Sequence, residues 1–319
     1  VKKGKGLKRS MRVVVTGGAG FIGSRLVGAL LDRGEEVLVI DDLSTGKVDK
    51  VPYGAKLYAF PAEAEETAEL IASFRPEVVF HLAAQVGMGS SMRKPVEDGR
   101  SNVLGTLRVL EGCRESASKL VFSSTSGVYG GTSGSRLLRE TSVKRPSSPY
   151  GLSKWAAEQY IQHAARWWGI RFTILRYANV YGPGQTAKGE GGVVACFLER
   201  QARGMPLIIH GDGEQGRDFV HVDDVVRANL AAIDSGEGEI CNIGTAAATS
   251  INELASLFER LGRVSPGRIY ESGRPGDARL SRLCPRKAEA VLGWRPAKTL
   301  EEGIAELLSV STRTHRLQL

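Results

Sequence analysis

Cysteine is scarce in this chain of 319 residues, and what there is stands in no useful pattern. Cys113, Cys196, Cys241 and Cys284 are far apart with no C-x-x-C pair, which excludes a disulfide framework and a thiolate zinc site. Buried free thiols in a reducing cytoplasm are the expectation, with no metal site. Long apolar runs are missing as well. No stretch reaches the roughly 18 uninterrupted apolar residues of a membrane-spanning helix, and no apolar h-region marks a signal peptide. A nucleic-acid module is also absent. The net charge of +8 would suit an anionic partner, but five of those charges sit in VKKGKGLKRS. That segment, residues 1–10, reads as a flexible basic extension, so neither nucleic acid nor a membrane is expected as a partner.

What the chain does have is a strand followed by glycine. VVVTGGAGFIG places three β-branched valines before Gly17, Gly20 and Gly23, the pattern of a buried parallel strand turning tightly into a helix. Without Cβ atoms at Gly17 and Gly20 a pyrophosphate can approach the main chain at the helix start, and Gly23 lets the helix lie close to the strand. A second strand over 36–40 ends in Asp41, near the spacing of about 20 residues expected of a carboxylate that binds ribose hydroxyls. Such a carboxylate repels a 2′-phosphate, so NAD is expected over NADP. Strands then alternate with helices: strand 56–60, helix 65–74, strand 77–82, a long helix 96–116, strand 119–123, a helix from Pro149 and strand 171–177. That order predicts an α/β fold with a doubly wound parallel sheet, and ligands of such sheets gather at the carboxyl edge.

The run SSTSGVYG ends the fifth strand at that edge and supplies Thr125. Tyr150 and Lys154 lie one helical turn apart, so their side chains share a face. YxxxK alone is an ordinary i, i+4 pair. Following a glycine fingerprint it becomes a base: a phenol with a reference pKa near 10 is ionised more readily beside an ammonium.

VTGGAGFIGS, HLAAQ, SNVLGT, SSTSGVYG, YGLSK, RYANVYGP, GRDFVHVDD and GRPGD together resemble the extended short-chain dehydrogenase/reductase family, and within it the UDP-galactose (UDP-glucose) 4-epimerases. The resemblance implies a Rossmann domain with a smaller C-terminal α/β domain for a nucleotide sugar. The implied division is 11–177, with 219–245 returning to it, against 178–218 and 246–310. It implies an NAD site of Gly17, Gly20, Phe21, Ile22, Gly23, Asp41, Asp42, Leu82, Ala83, Ala84, Asn102 and Tyr177, completed by Tyr150 and Lys154. Thr125, Tyr150 and Lys154 would be catalytic. Asn179, Val193, His210, Arg217, Arg274, Asp277 and Ser281 would meet a UDP-sugar substrate. A homodimer through helices 96–116 and 150–168 is implied by the same analogy. Where dehydratases and decarboxylases of the family place acidic residues after the threonine, this chain has Ser126 and Gly127, and neither is a general acid.

The C-terminal third also speaks for itself. NVYGPGQTAKGEGG is too rich in glycine for a core element and reads as a long loop. Helix 193–203, strand 207–209 and a helix 223–234 capped by Asp223 follow. Arg217 and Arg274 have the planar fork that clamps phosphate oxygens, or they form surface ion pairs. His210 either stacks on a pyrimidine or simply ends a strand. Ser281 stands where relatives restricted to glucose and galactose carry a bulky tyrosine, so it is either a wider gate for the sugar or part of an exposed turn.

Overall fold

In the computed structural model Val13, Val14 and Val15 are wholly enclosed at the middle of a parallel sheet. The structure describes residues 10–132, 136–187, 191–263, 266–274 and 276–316, with side chains to residue 310. Residues 1–9 of the basic extension, 188–190 of the glycine-rich loop and Pro275 of GRPGD lie outside the described residues.

The elements in chain order are β1 (Arg12–Thr16), α1 (Phe21–Asp32), β2 (Glu36–Ile40), β3 (Lys56–Tyr58), α2 (Glu65–Phe74), β4 (Val78–His81), α3 (Met88–Arg93), α4 (Pro95–Gly99), α5 (Gly105–Ser116), β5 (Lys119–Thr125), α6 (Pro149–Trp168) and β6 (Phe172–Tyr177). There follow β7 (Asn179–Tyr181), α7 (Val193–Ala202), β8 (Leu207–His210), β9 (Gly216–Arg217), β10 (Phe219–His221), α8 (Val222–Ala231), β11 (Glu239–Ile243), β12 (Thr249–Ser250), α9 (Ile251–Gly262), β13 (Arg268–Glu271), β14 (Leu280–Ser281), α10 (Arg286–Leu292) and α11 (Leu300–Arg316).

Seven parallel strands run in the order β11-β6-β5-β4-β1-β2-β3, a Rossmann-type doubly wound sheet. One face is covered by Leu26 and Leu30 of α1 with Val225 of α8, the other by Ile71 of α2, Val109 of α5 and Ile161 of α6. Burial on both faces explains the unbroken apolar runs at residues 13–15 of β1 and 37–40 of β2, which do not alternate. A separate core of Phe197, Leu207, Ile209, Leu254, Phe258 and Ile304 joins α7, β8, α9 and α11. The order of strands reverses between β4 and β1, which opens a crevice beyond their carboxyl ends.

Four expectations need correction. The helix over 96–116 is interrupted, because residues 100–104 widen into a π-helical turn that buries Asn102 against Gln85. β5 continues to Thr125, since Ser124 and Thr125 pair with Arg176 and Tyr177 of β6. The cap of α8 is His221, whose Nδ1 accepts from the Asp223 amide at 3.2 Å, and not Asp223 itself. Of the four free cysteines Cys196 is only half-buried. Among the described residues no helix is long and apolar enough to cross a membrane.

Candidate cofactor and sugar site

The turn between β1 and α1 is built for close approach. A Cβ added at Gly17, whose φ is +72°, would lie 2.6 Å from the Ala83 nitrogen, and one at Gly23 would lie 2.0 Å from the Gly17 carbonyl. Gly20 precedes α1 and offers no side-chain cap, so the first amides of the helix are left for an anion. Asp41 is buried at the end of β2 and accepts from the Ala19 and Leu43 amides, each at 2.9 Å. Burial raises its carboxyl above the ordinary value while those two amides pull it back. Asp42 is exposed and caps its own turn through Ser44. The cradle and the adjacent carboxylate fit a dinucleotide.

A cleft of about 180 Å³ opens beside this turn. Its walls are Gly17, Gly20, Phe21, Ile22 and Gly23 on one side and Leu82, Ala84 and Val86 after β4. Ser123, Ser124 and Thr125 at the end of β5, Tyr150 and Lys154 of α6, and Tyr177, Ala178, Val180 and Gln185 complete it. The expected catalytic residues are therefore brought to one cavity with the glycine turn. The Thr125 hydroxyl accepts from the Gly127 amide at 3.0 Å, which fixes its rotamer at the strand end. Ser148 caps α6, its hydroxyl accepting from the Gly151 amide, and sets the helix start from which Tyr150 projects.

Lys154 is 2% exposed, and its ammonium stands 4.6 Å from the centre of the Phe122 ring. Burial pushes it down to about 8, against the opposing charges of Asp98 and Glu158. Behind it, Ala83 and Asn102 do not line the cleft but hold its wall. Asn102 accepts from the Gln85 amide at 2.9 Å and donates to the Gln85 carbonyl at 3.0 Å. His81 of the HLAAQ run is likewise a tie. The Thr106 hydroxyl donates to the Asn102 carbonyl, so it accepts from His81 Nε2, and Nδ1 accepts from Thr16 at 2.7 Å. Burial, helped by the Lys154 charge, drives that imidazole down to about 3, and it stays neutral.

The residues expected to meet a nucleotide sugar form a second group outside the cleft lining. Arg217 Nη2 donates to Asp277 at 2.5 Å, and Arg274 Nη2 meets His210 Nε2 at 2.7 Å. Ser281 is 8% exposed on β14, opposite Arg217 in parallel register, so the two side chains share a face and the exposed-turn alternative falls. The Asn179 amide donates to Asp218, the neighbour of Arg217, and Val193 opens α7. The loop between the two groups is clasped from below: Arg25 Nε donates to the Pro183 carbonyl at 3.0 Å and Lys50 Nζ to the Gly184 carbonyl at 3.0 Å.

A potential cation site exists elsewhere. His221, Asp223 and Glu306 bring ligand atoms within 4.8 Å of one another. The protein already supplies the cation: Lys298 Nζ lies 2.5 Å from Glu306 and 3.6 Å from Asp223, which also pairs with Arg25.

Sequence reasoning passed over Gln185. Its Nε2 donates to the Val180 carbonyl, which turns Oε1 the other way, buried and without a partner at the cleft. Nothing local signals that orientation. It also missed the buried pair of Glu158 and Arg176 beneath Ser124.

The chain is 44% identical to UDP-glucose 4-epimerase from Thermotoga maritima, whose crystal structure contains UDP-glucose. The two superpose with a TM-score of 0.93 over 96% of this chain and 100% of that one. UDP-glucose 4-epimerase of Mycolicibacterium smegmatis is 39% identical over 93% of this chain and 97% of its own length. UDP-glucuronate 4-epimerase of Thermodesulfobacterium geofontis is 31% identical over 93% and 95%. The model of the NAD dependent epimerase/dehydratase family matches residues 13–244, which covers every strand of the large sheet but the first residue of β1, and it is to that family that this chain belongs.

Proposed function

We propose that the protein interconverts the C4 epimers of a UDP-hexose, with UDP-glucose and UDP-galactose as its pair. The observation that supports this most is the sharing of one cleft by Thr125, Tyr150 and Lys154 with an uncapped helix start and a glycine turn. NAD, held by residues 17–23 with Asp41 at its adenosine ribose, would take a hydride from C4 and give it back. Tyr150 as phenolate receives the proton of the 4-hydroxyl, Thr125 fixes that hydroxyl, and Lys154 keeps the tyrosine ionised. The 4-keto sugar would turn about its link to UDP so that the hydride returns to the opposite face of C4, and Tyr150 gives the proton back to the C4 oxygen. Arg217 and Arg274 exchange Asp277 and His210 for the diphosphate. No carboxylate is among the described residues lining the cleft, so dehydration would lack its general acid.

The width of the sugar pocket is testable at once. Ser281 is small and faces the same way as Arg217, so an N-acetyl group would meet less bulk there than beside a tyrosine. Incubation with UDP-glucose, UDP-galactose, UDP-N-acetylglucosamine and UDP-glucuronate, followed by separation of C4 epimers, should show turnover of the first three. Ser281→Tyr should reduce the N-acetylated substrate alone, by about tenfold or more. No turnover of any UDP-sugar refutes the proposed reaction, and an equal response of all substrates to Ser281→Tyr refutes the gate.

A homodimer completes the proposal. Val96 is 82% exposed on α4, and Leu152, Tyr160 and Trp167 are exposed along α6, an apolar strip that a second copy would cover. Sedimentation equilibrium at micromolar concentration should return twice the chain mass. A monomer there removes the dimer from the proposal.

A further inference from the structure

Asp98 is a buried carboxylate to which the reaction as described gives no task. It lies in α4, is 1% exposed and forms no ion pair among the described residues; burial raises its carboxyl above the ordinary value, while the Ser153 hydroxyl and the Lys154 charge hold it down. A buried charge of this kind is costly unless something compensates it. Its partners are polar. Asn102 Nδ2 donates to Asp98 Oδ1 at 3.1 Å, and the same amide group reaches the Ser153 hydroxyl at 3.0 Å and the Gln85 carbonyl at 3.0 Å. Ser153 in turn donates to the Tyr150 carbonyl at 3.0 Å and directly precedes Lys154. The π-helical turn at residues 100–104 is what brings Asn102 into the middle of this arrangement.

Lys154 is the complementary case, a buried ammonium over the Phe122 ring that forms no ion pair among the described residues. The charged and titratable groups that face it are Asp98 from α4, Tyr150 and Glu158 from α6, and His81 from β4. His81 is neutral. Glu158 is bound at both oxygens by Arg176 of β6, so its charge is largely spent there. Asp98 is left as the unmatched negative charge on the side of α6 that carries Ser153 and Lys154.

We propose that Asp98 is a positioning residue of the reaction: through the Asn102–Ser153 node its carboxylate is the counter-charge that keeps Lys154 an ammonium beneath Tyr150. The inference rests on Tyr150 being the base and Lys154 its partner. Burial opposes the charge on Lys154 and Asp98 favours it, so without Asp98 the lysine proton leaves at lower pH.

The test is the pH profile of kcat for the NAD-loaded enzyme with UDP-galactose. Asp98→Asn keeps the shape and the hydrogen bond while removing the charge. Its alkaline limb should move down by about one pH unit, with kcat at pH 8 about fivefold lower and KM within about twofold. Asp98→Glu should return the limb toward its original position. If Asp98→Asn does not fold, Asp98→Glu still decides: a conserved charge must conserve the limb. A loss of kcat with the limb unmoved makes Asp98 merely structural and overturns the proposal, as does an unchanged profile. Tyr150→Phe separates the two levels. Full activity in that variant removes the base itself, whereas a large loss there beside an unmoved limb in Asp98→Asn removes only the role of Asp98.

Discussion

Tyr150→Phe should lower kcat by at least about a hundredfold, the effect of removing a general base, and should leave NAD binding within a few fold of the original. The split follows from the geometry. Tyr150 and Lys154 line the cleft from α6, whereas the anion cradle belongs to the turn after β1 and Asp41 to the end of β2, and the substitution alters neither. Single-turnover kinetics with bound UDP-sugar, together with calorimetric titration of NAD, would measure both quantities. An undiminished rate refutes the assignment of Tyr150, and a lost rate accompanied by lost NAD makes the residue structural. In the unaltered enzyme kcat should also decline above pH about 8, where Lys154 gives up its proton and ceases to favour the phenolate.

The largest effect on stability is expected from Glu158→Leu. Glu158 and Arg176 are both fully enclosed. Nε of the arginine donates to Oε1 at 2.9 Å and Nη2 to Oε2 at 2.5 Å, while Ser124 donates to the same Oε1 at 2.5 Å. Nη1 of Arg176 continues to the Tyr129 hydroxyl at 2.8 Å, and Tyr129 donates to Asn242 at 2.8 Å. Burial works against the guanidinium, yet Glu158 holds it above its ordinary range. Removing Glu158 alone strands a charge in the core and should reduce the unfolding free energy by about 3–5 kcal/mol, a third or more of what a typical domain has. The double replacement Glu158→Leu with Arg176→Met should recover most of that. Urea denaturation of both variants tests it, and a double variant as unstable as the single one would show that the loss comes from packing and not from the unpaired charge.

The parts of the site that could be read in the sequence are those whose chemistry is local. Gly17, Gly20 and Gly23 are spaced by the turn they make, and Tyr150 and Lys154 by one turn of a helix, so neighbours along the chain are neighbours in space. The strand run of three valines announces burial on both faces without any knowledge of what covers them. Other features depend on partners far along the chain. The π-helical turn at residues 100–104 exists because Asn102 reaches Gln85, and α3 has little local signal because Gly89 and the Ser90–Ser91 pair interrupt a segment of only six residues. Glu158 and Arg176 meet because α6 folds back over β6, and Asp98 reaches Asn102 across a turn of irregular pitch. His221 displaces Asp223 as the cap of α8 because its ring is fixed in a buried site beside Tyr181. None of these has a signature shorter than the fold itself.

The clasp on the loop at the mouth of the cleft has a consequence for how such a protein changes over generations. Arg25 and Lys50 hold Pro183 and Gly184 by their carbonyl oxygens, and a carbonyl is the same whatever side chain follows it. Gly182 and Gly184, with φ of +151° and +92°, tie the backbone there to glycine, as does Gly191, where a Cβ would lie 2.1 Å from the Ala187 carbonyl oxygen. The Gln185 side chain takes no part in that anchorage and can be exchanged while the two carbonyl contacts stay. The first βα unit thus holds the entrance in place and leaves its lettering open, so that preference for one sugar over another can drift without the cofactor cradle being rebuilt.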